Sequence, residues 1–159
     1  MSVIASKDRY SPAIVGLHWL MFLLIAVGYA AIELREVFPK GSAPRELLKD
    51  LHYMLGLSVL VLVFVRIGLR LTTVAPPISP PPPAWQATAS RAMHLTLIAF
   101  MILMPIGGWL ILSAEGDPIP FWGLELPPLM GPDKGLAETI EEIHETAGNI
   151  GYFLIGLHA

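Results

Sequence analysis

The sequence predicts an all-α membrane protein, a bundle of four transmembrane helices. Three observations predict it. Of 159 residues, 54% are hydrophobic and only 14% are charged, whereas a soluble globular domain carries about 25% charged residues. The mean hydropathy is +0.62. The apolar residues are concentrated in long runs near one bilayer crossing in length, separated by polar or proline-rich breaks. A single transmembrane domain over residues 1–159 is expected, with helices at roughly 12–33, 48–71, 90–114 and 140–159.

Met1 to Ser11 is a short polar leader. Lys7 and Arg9 precede a run too long for the apolar core of a cleaved signal. Pro12 suits the first turn of a helix, and Ala13 to Ile32 then contains no acid, lysine or arginine, with His18 inside it. Glu33 to Gly41 is a polar break. The second run, Leu51 to Leu71, is interrupted by His52, Arg66 and Arg70. Thr72 to Trp85 contains Pro76-Pro77 and Pro80 to Pro83, which cannot continue a helix and read as a stiff linker. The third run, Ala92 to Ala114, has His94 near its start. Its Pro105, Gly107 and Gly108 predict a kink or a close helix approach. Glu115 to Glu142 is the longest connection, with Phe121-Trp122-Gly123-Leu124 as a candidate interfacial anchor. The fourth run follows His144.

Orientation rests on charge. With the N-terminus inside, the inner segments hold Lys7, Arg9, Arg66, Arg70 and Arg91, and the outer ones Arg35, Lys40, Arg45, Lys49 and Lys134, a tie in the residues that set topology. Asp8 lies on one side and the other twelve acids on the opposite side. The expected orientation is N-inside.

Histidine depths carry the functional reading. His144 and His158 are fourteen residues apart on one helix, a separation of about 21 Å within about 40° of the same face. Gly148, Gly151 and Ile155 lie between them. With antiparallel crossings, His52 shares the outer level with His144, and His18 shares the inner level with His158. A lone histidine near a membrane-helix end is commonly an interfacial polar residue, but four at paired depths point to function, because ionisable groups in membrane helices are costly. Two imidazoles facing across a bundle at one depth are what a six-coordinate b-type haem needs, an arrangement suited to electron transfer. The absence of cysteine excludes disulfides, thiolate metal sites and covalent haem attachment through Cys-x-x-Cys-His.

Helix two adds a stripe of His52, Gly56, Val59, Val63, Arg66 and Arg70. Gly56 leaves room beside its histidine. Arg66 and Arg70 are candidates to pair with haem propionates, or else snorkel to the interface. His94 also lies near the inner level, so three histidines compete there for two axial places. It could replace His18, bond a propionate or serve a quinone as proton donor.

These residues resemble the bacterial cytochrome b561 family over nearly the whole chain. The resemblance is carried by Tyr10-Ser11 leading to Leu17-His18-Trp19, His52-x3-Gly56, Val65-Arg66-x3-Arg70, His94, Pro105-Ile106-Gly107, and His144-Glu145-Thr146 through Gly151-Tyr152-Phe153-Leu154-Ile155-Gly156-Leu157-His158. It implies a multi-pass bacterial inner-membrane protein holding two haem b groups, with His18, His52, His144 and His158 as axial ligands to iron. Gly56, Gly148 and Gly151 would pack the haems, and Arg66, Arg70 and His94 are propionate or quinone candidates. It further implies electron exchange with ubiquinone and, as in characterised relatives, oxidation of superoxide to O2 at the outer haem. Two departures stand out. Family members continue past the last ligand into a basic tail, so the stop after His158 reads as a truncation. The acidic outer surface should also repel an anion at long range.

The expected function is therefore a di-haem b-type cytochrome, an oxidoreductase carrying single electrons between a periplasmic partner and the ubiquinone pool. Membrane lipid is the expected surroundings, and nucleic acid is not an expected partner. One rival is a cytochrome b anchor subunit serving a hydrogenase or formate dehydrogenase. A rival of another class is a metal-ion transporter using the histidines as relay ligands, though no thiol or carboxylate completes a tetrahedral site.

Overall fold

The computed structural model describes residues 10–73 and 75–159. Most of the polar leader, including Lys7, Asp8 and Arg9, lies outside the described residues. Four long helices dominate: α1 (Pro12–Leu34), α2 (Ala43–Thr72), α3 (Ala84–Glu115) and α4 (Lys134–His158). A 3-10 turn, Arg35–Val37, extends α1, and a two-stranded hairpin, β1 (Ile119–Phe121) with β2 (Leu124–Leu126), lies between α3 and α4. The protein is an all-α membrane protein: among the described residues, Pro12–Val37, Ala43–Thr72 and Ala84–Glu115 are long and apolar enough to cross a bilayer. α4 has the length, but Glu138, Glu141, Glu142 and Glu145 occupy its first half.

The helices run past the apolar spans. α2, α3 and α4 begin at Ala43, Ala84 and Lys134, five to six residues before the expected starts. The start signals are polar or proline: Ser42 with Pro44 for α2, Pro83 for α3, and Asp133, whose carboxylate accepts from Leu136 N at 3.1 Å, for α4. Hydropathy marks where a helix enters lipid, and these caps mark where it begins. α3 carries Pro105 in its interior and ends on Gly116, whose φ of 78° permits the closing turn in which Asp117 N bonds Leu112 O at 3.0 Å.

Packing is sequential: α1 lies on α2, α2 on α3 and α3 on α4. Met21 of α1 with Val59 and Val63 of α2 forms one buried cluster, closed by Ile98, Met101 and Ile102 of α3. Leu57, Leu112 and Ile119 form a second, which seats the hairpin. The hairpin turns on Trp122 (φ 48°) and Gly123 (φ 86°), a two-residue turn with both angles positive. Trp122 Nε1 donates to Ser58 Oγ at 2.9 Å, so this connection lies against the flank of α2. Among the described residues, no Cα of α4 comes within 8 Å of one in α1 or α2. A slot therefore separates α4 from the first two helices, spanned by side chains.

Candidate functional site: two imidazole pairs on one helix

At the outer end of the slot, His144 of α4 faces His52 of α2, with ring centroids 6.4 Å apart and planes at 81°. His52 Nδ1 lies 2.9 Å from the carbonyl of Gly28 in α1. A carbonyl only accepts, so this nitrogen carries the proton and Nε2 keeps its lone pair. His144 is placed differently. Its Nδ1 edge lies on α3, where a Cβ built on Gly107 would stand 3.3 Å from Nδ1 and one on Gly108 would stand 3.6 Å from Cε1. His144 Nδ1 is buried and has no hydrogen-bond partner among the described residues. A cavity of about 450 Å³ surrounds this pair, with Gly28, Gly56 and Gly148 in its walls. Ligand pockets generally span about 300–1,000 Å³.

At the inner end, His158 faces His18 with centroids 6.1 Å apart and planes at 84°. His94 also reaches His158, at 5.5 Å, and its Nδ1 donates to Ser90 O at 2.7 Å. His18 is half-buried, whereas His94 and His158 are exposed. Arg66 Nη1 donates to Ile14 O at 3.1 Å, one turn below His18 on α1. Arg70, a turn further along α2, is exposed. The inner end thus gathers three histidines with one arginine beside them.

Between the two ends, Tyr29 spans the slot. Its hydroxyl donates to Gly148 O at 2.7 Å, and its ring lies 4.4 Å from that of Tyr152. Tyr152 in turn donates to Glu33 Oε1 at 2.9 Å. The bare face of Gly151 is filled by the Tyr29 hydroxyl and by Phe100, whose Cζ would stand 2.6 Å from an added Cβ. Gly151 therefore admits side chains from α1 and α3, while Gly56 and Gly148 face the cavity. Tyr29, the Gly28 carbonyl and the Gly107–Gly108 seat were not assigned to the site from sequence. A hydroxyl inside an otherwise apolar run and a glycine pair beside Pro105 were the signals available.

A second, polar cavity of about 290 Å³ adjoins the outer one, and Arg35 lines both. Lys40, Arg45 and Lys49 line it too, facing Glu46, Glu115, Asp117 and Glu141. Arg45 pairs with Glu36 at 2.8 Å and donates to the carbonyls of Arg35 and Phe38, which fixes the turn between α1 and α2. Lys49 pairs with Glu46 at 3.1 Å. Lys40 has no ion-pair partner among the described residues.

The donor set can be tested against haem iron. Two imidazole nitrogens on opposite sides of one metal at about 2.0–2.1 Å would lie about 4 Å apart, with ring centres about 6–6.5 Å apart. Both pairs fit, at 6.4 and 6.1 Å. Without cysteine among the described residues, such a group would be held by these imidazoles and by packing. Among the described residues no three His, Cys, Asp or Glu side chains are placed to hold a metal ion together.

The described residues thus form a multi-pass membrane protein with an imidazole pair at each end of one slot. Its relatives define the class. The family model for prokaryotic cytochrome b561 matches residues 9–159. Cytochrome b561 homolog 1 of Escherichia coli (strain K12) is 40% identical over 152 residues, covering 96% of this chain and 86% of the relative. The probable superoxide oxidase CybB of Yersinia pestis is 34% identical over 151 residues, covering 95% and 85%. Cytochrome b561 homolog 2 of Escherichia coli (strain K12) is 28% identical over 153 residues, covering 91% and 77%. The chain belongs to the prokaryotic cytochrome b561 family.

Proposed function

We propose that this protein is a di-haem b-type cytochrome of the bacterial inner membrane that carries single electrons between a partner on the outer side and the ubiquinone pool. The observation that carries the reading is the repeated spacing: two imidazole pairs, at 6.4 and 6.1 Å, at opposite ends of one slot. His52 and His144 would hold the outer haem, His18 and His158 the inner one, within a four-helix transmembrane bundle formed by residues 1–159. Haem held there would supply a one-electron couple. The protein's own residues orient the imidazoles, as the bond from His52 Nδ1 to Gly28 O does, and apolar residues such as Leu24, Leu55 and Met104 line the outer cavity, which would disfavour water there. Arg66, whose guanidinium bonds Ile14 O one turn from His18, is a candidate partner for an inner propionate. Arg70 and His94 are candidates for the same role or for a quinone. Purified protein should show reduced b-type bands and about two haems per chain. Full-length protein that binds no haem would end this reading.

The narrower proposal is that the outer partner is superoxide, giving up one electron to leave O2. The similarity to a probable superoxide oxidase supports it. So does Lys40, which has no ion-pair partner among the described residues and lies in the polar cavity beside the outer pair, where four bases meet four acids. Its test is stopped-flow mixing of superoxide with oxidised protein. Haem reduction faster than spontaneous dismutation is expected, and Lys40→Glu should slow it most at low ionic strength, because steering by exposed charge is screened by salt. Reduction no faster than dismutation would remove superoxide from the account. The N-terminus is taken to be cytoplasmic, which puts this cavity in the periplasm. A periplasm-active reporter fused to the N-terminus should therefore be silent.

A further inference from the structure

The two imidazoles of the outer pair are held by different means. His52 has its Nδ1 proton on the Gly28 carbonyl, a bond of 2.9 Å that fixes both tautomer and ring orientation. His144 has no such bond. Its Nδ1 is buried without a protein partner among the described residues, and what lies against it is the backbone of α3. Added Cβ atoms at the two adjacent glycines would meet the ring differently: 3.3 Å from Nδ1 at Gly107, tighter than ordinary contact, and 3.6 Å from Cε1 at Gly108, ordinary van der Waals contact. A buried donor left without an acceptor costs free energy, and a glycine inside a helix costs more. The fold carries both at one point, two residues after Pro105.

We propose that Gly107 is a positioning residue for His144: its bare backbone seats the imidazole edge and leaves Nδ1–H without an acceptor. The inference rests on His144 being an axial ligand, in which case Nε2 meets the iron and Nδ1 must carry the proton. A ligating histidine whose other N–H is bonded becomes a more basic ligand. The outer site therefore combines one strengthened ligand, His52, with one left weak, His144. Steric contact with Gly107, in place of a hydrogen bond, sets the plane of the second ring.

The test compares three variants of the full-length, haem-loaded protein: Gly107→Ala, Gly156→Ala and Gly107→Ser. Readouts are the low-spin haem EPR signal, whose position follows the angle between the two imidazole planes, and the two midpoint potentials. His144→Ala identifies the outer signal by its loss. Gly107→Ala should shift the outer signal and leave the inner one in place. Gly156→Ala, an equal change in helix propensity where an added Cβ meets nothing within 4 Å, should leave the outer signal unmoved. Gly107→Ser adds an acceptor beside Nδ1 and should lower the outer potential relative to Gly107→Ala. Equal shifts of the outer signal from Gly107→Ala and Gly156→Ala, or none from Gly107→Ala, would overturn the proposal. So would identical outer potentials in Gly107→Ser and Gly107→Ala. If His144→Ala keeps both haem signals, the ligand reading itself fails, and the proposal fails with it. Should Gly107→Ala not load its outer haem while Gly156→Ala does, the seat is supported by that difference alone.

Discussion

Tyr29 is the residue that closes the middle of the slot. Its hydroxyl reaches Gly148 O and its ring packs at a tilt against that of Tyr152, joining α4 to α1 where their backbones stand apart. Hydrogen bonds between membrane helices contribute on average about 0.6 kcal/mol, with about 1.7 as a ceiling. Tyr29→Phe keeps the ring and should cost within that range, read as a modest fall in the thermal midpoint of purified protein. Gly151 tolerates less. An added methyl would stand 2.6 Å from Phe100 Cζ and closer still to the Tyr29 hydroxyl, and overpacking of this kind costs about 1–3 kcal/mol. Gly156→Ala meets nothing within 4 Å and serves as the matched control. If Gly151→Ala and Gly156→Ala unfold at the same temperature, the close approach at Gly151 does not constrain the helices. From sequence, Gly151 belongs to a glycine stripe on one helix face. That it admits a tyrosine and a phenylalanine depends on residues 122 and 51 positions away, which no local pattern reveals.

At the scale of elements, α4 and the hairpin show what sequence can and cannot give. The apolar runs placed the lipid-facing parts of α1, α2 and α3, because mean hydropathy reports burial in hydrocarbon directly. The same measure understated α4, whose Glu138, Glu141, Glu142 and Glu145 make its first turns polar without ending the helix. Glutamate is a good helix former, so the helix continues back to the Asp133 cap. The hairpin was legible only as an aromatic patch in a long connection. Its short strands depend on Trp122 and Gly123 adopting positive φ and on a bond to Ser58, 64 positions away. Ile119, at the base of the hairpin, lines the outer cavity. Loosening the hairpin should therefore admit water to the outer site and leave the inner one alone. Trp122→Phe removes the donor to Ser58, and Gly123→Ala strains the turn. Both should make the 116–133 connection easier to cleave by protease and should shift the outer haem potential only. An equal shift of both potentials would contradict that placement.

For the whole molecule, the paired depths argued from helix periodicity reappear as paired distances. His52 meets His144 and His18 meets His158, because fourteen residues of regular helix return a side chain to nearly the same face. Periodicity could not decide among the three inner histidines. The structure brings all three together, with His158 between His18 and His94. Nor could sequence say whether any basic group offsets the acidic outer side. Arg35, Lys40, Arg45 and Lys49 come together when the α1–α2 turn folds onto the start of α2, against an equal number of acids, which leaves Lys40 as the base without an ion pair among the described residues. The two ends of the slot are about 21 Å apart along α4, well beyond the distance at which substitutions usually couple. Each site should therefore load and fail by itself.

That independence gives the most direct test of the central claim. Haem content and redox-resolved spectra are measured for His18→Ala, His52→Ala, His144→Ala and His158→Ala in the purified protein. The account predicts about one haem lost per variant, the same outer spectral component from His52→Ala and His144→Ala, and the inner component from the other two. Retention of both haems in any of the four, or loss of both from every one, would contradict it.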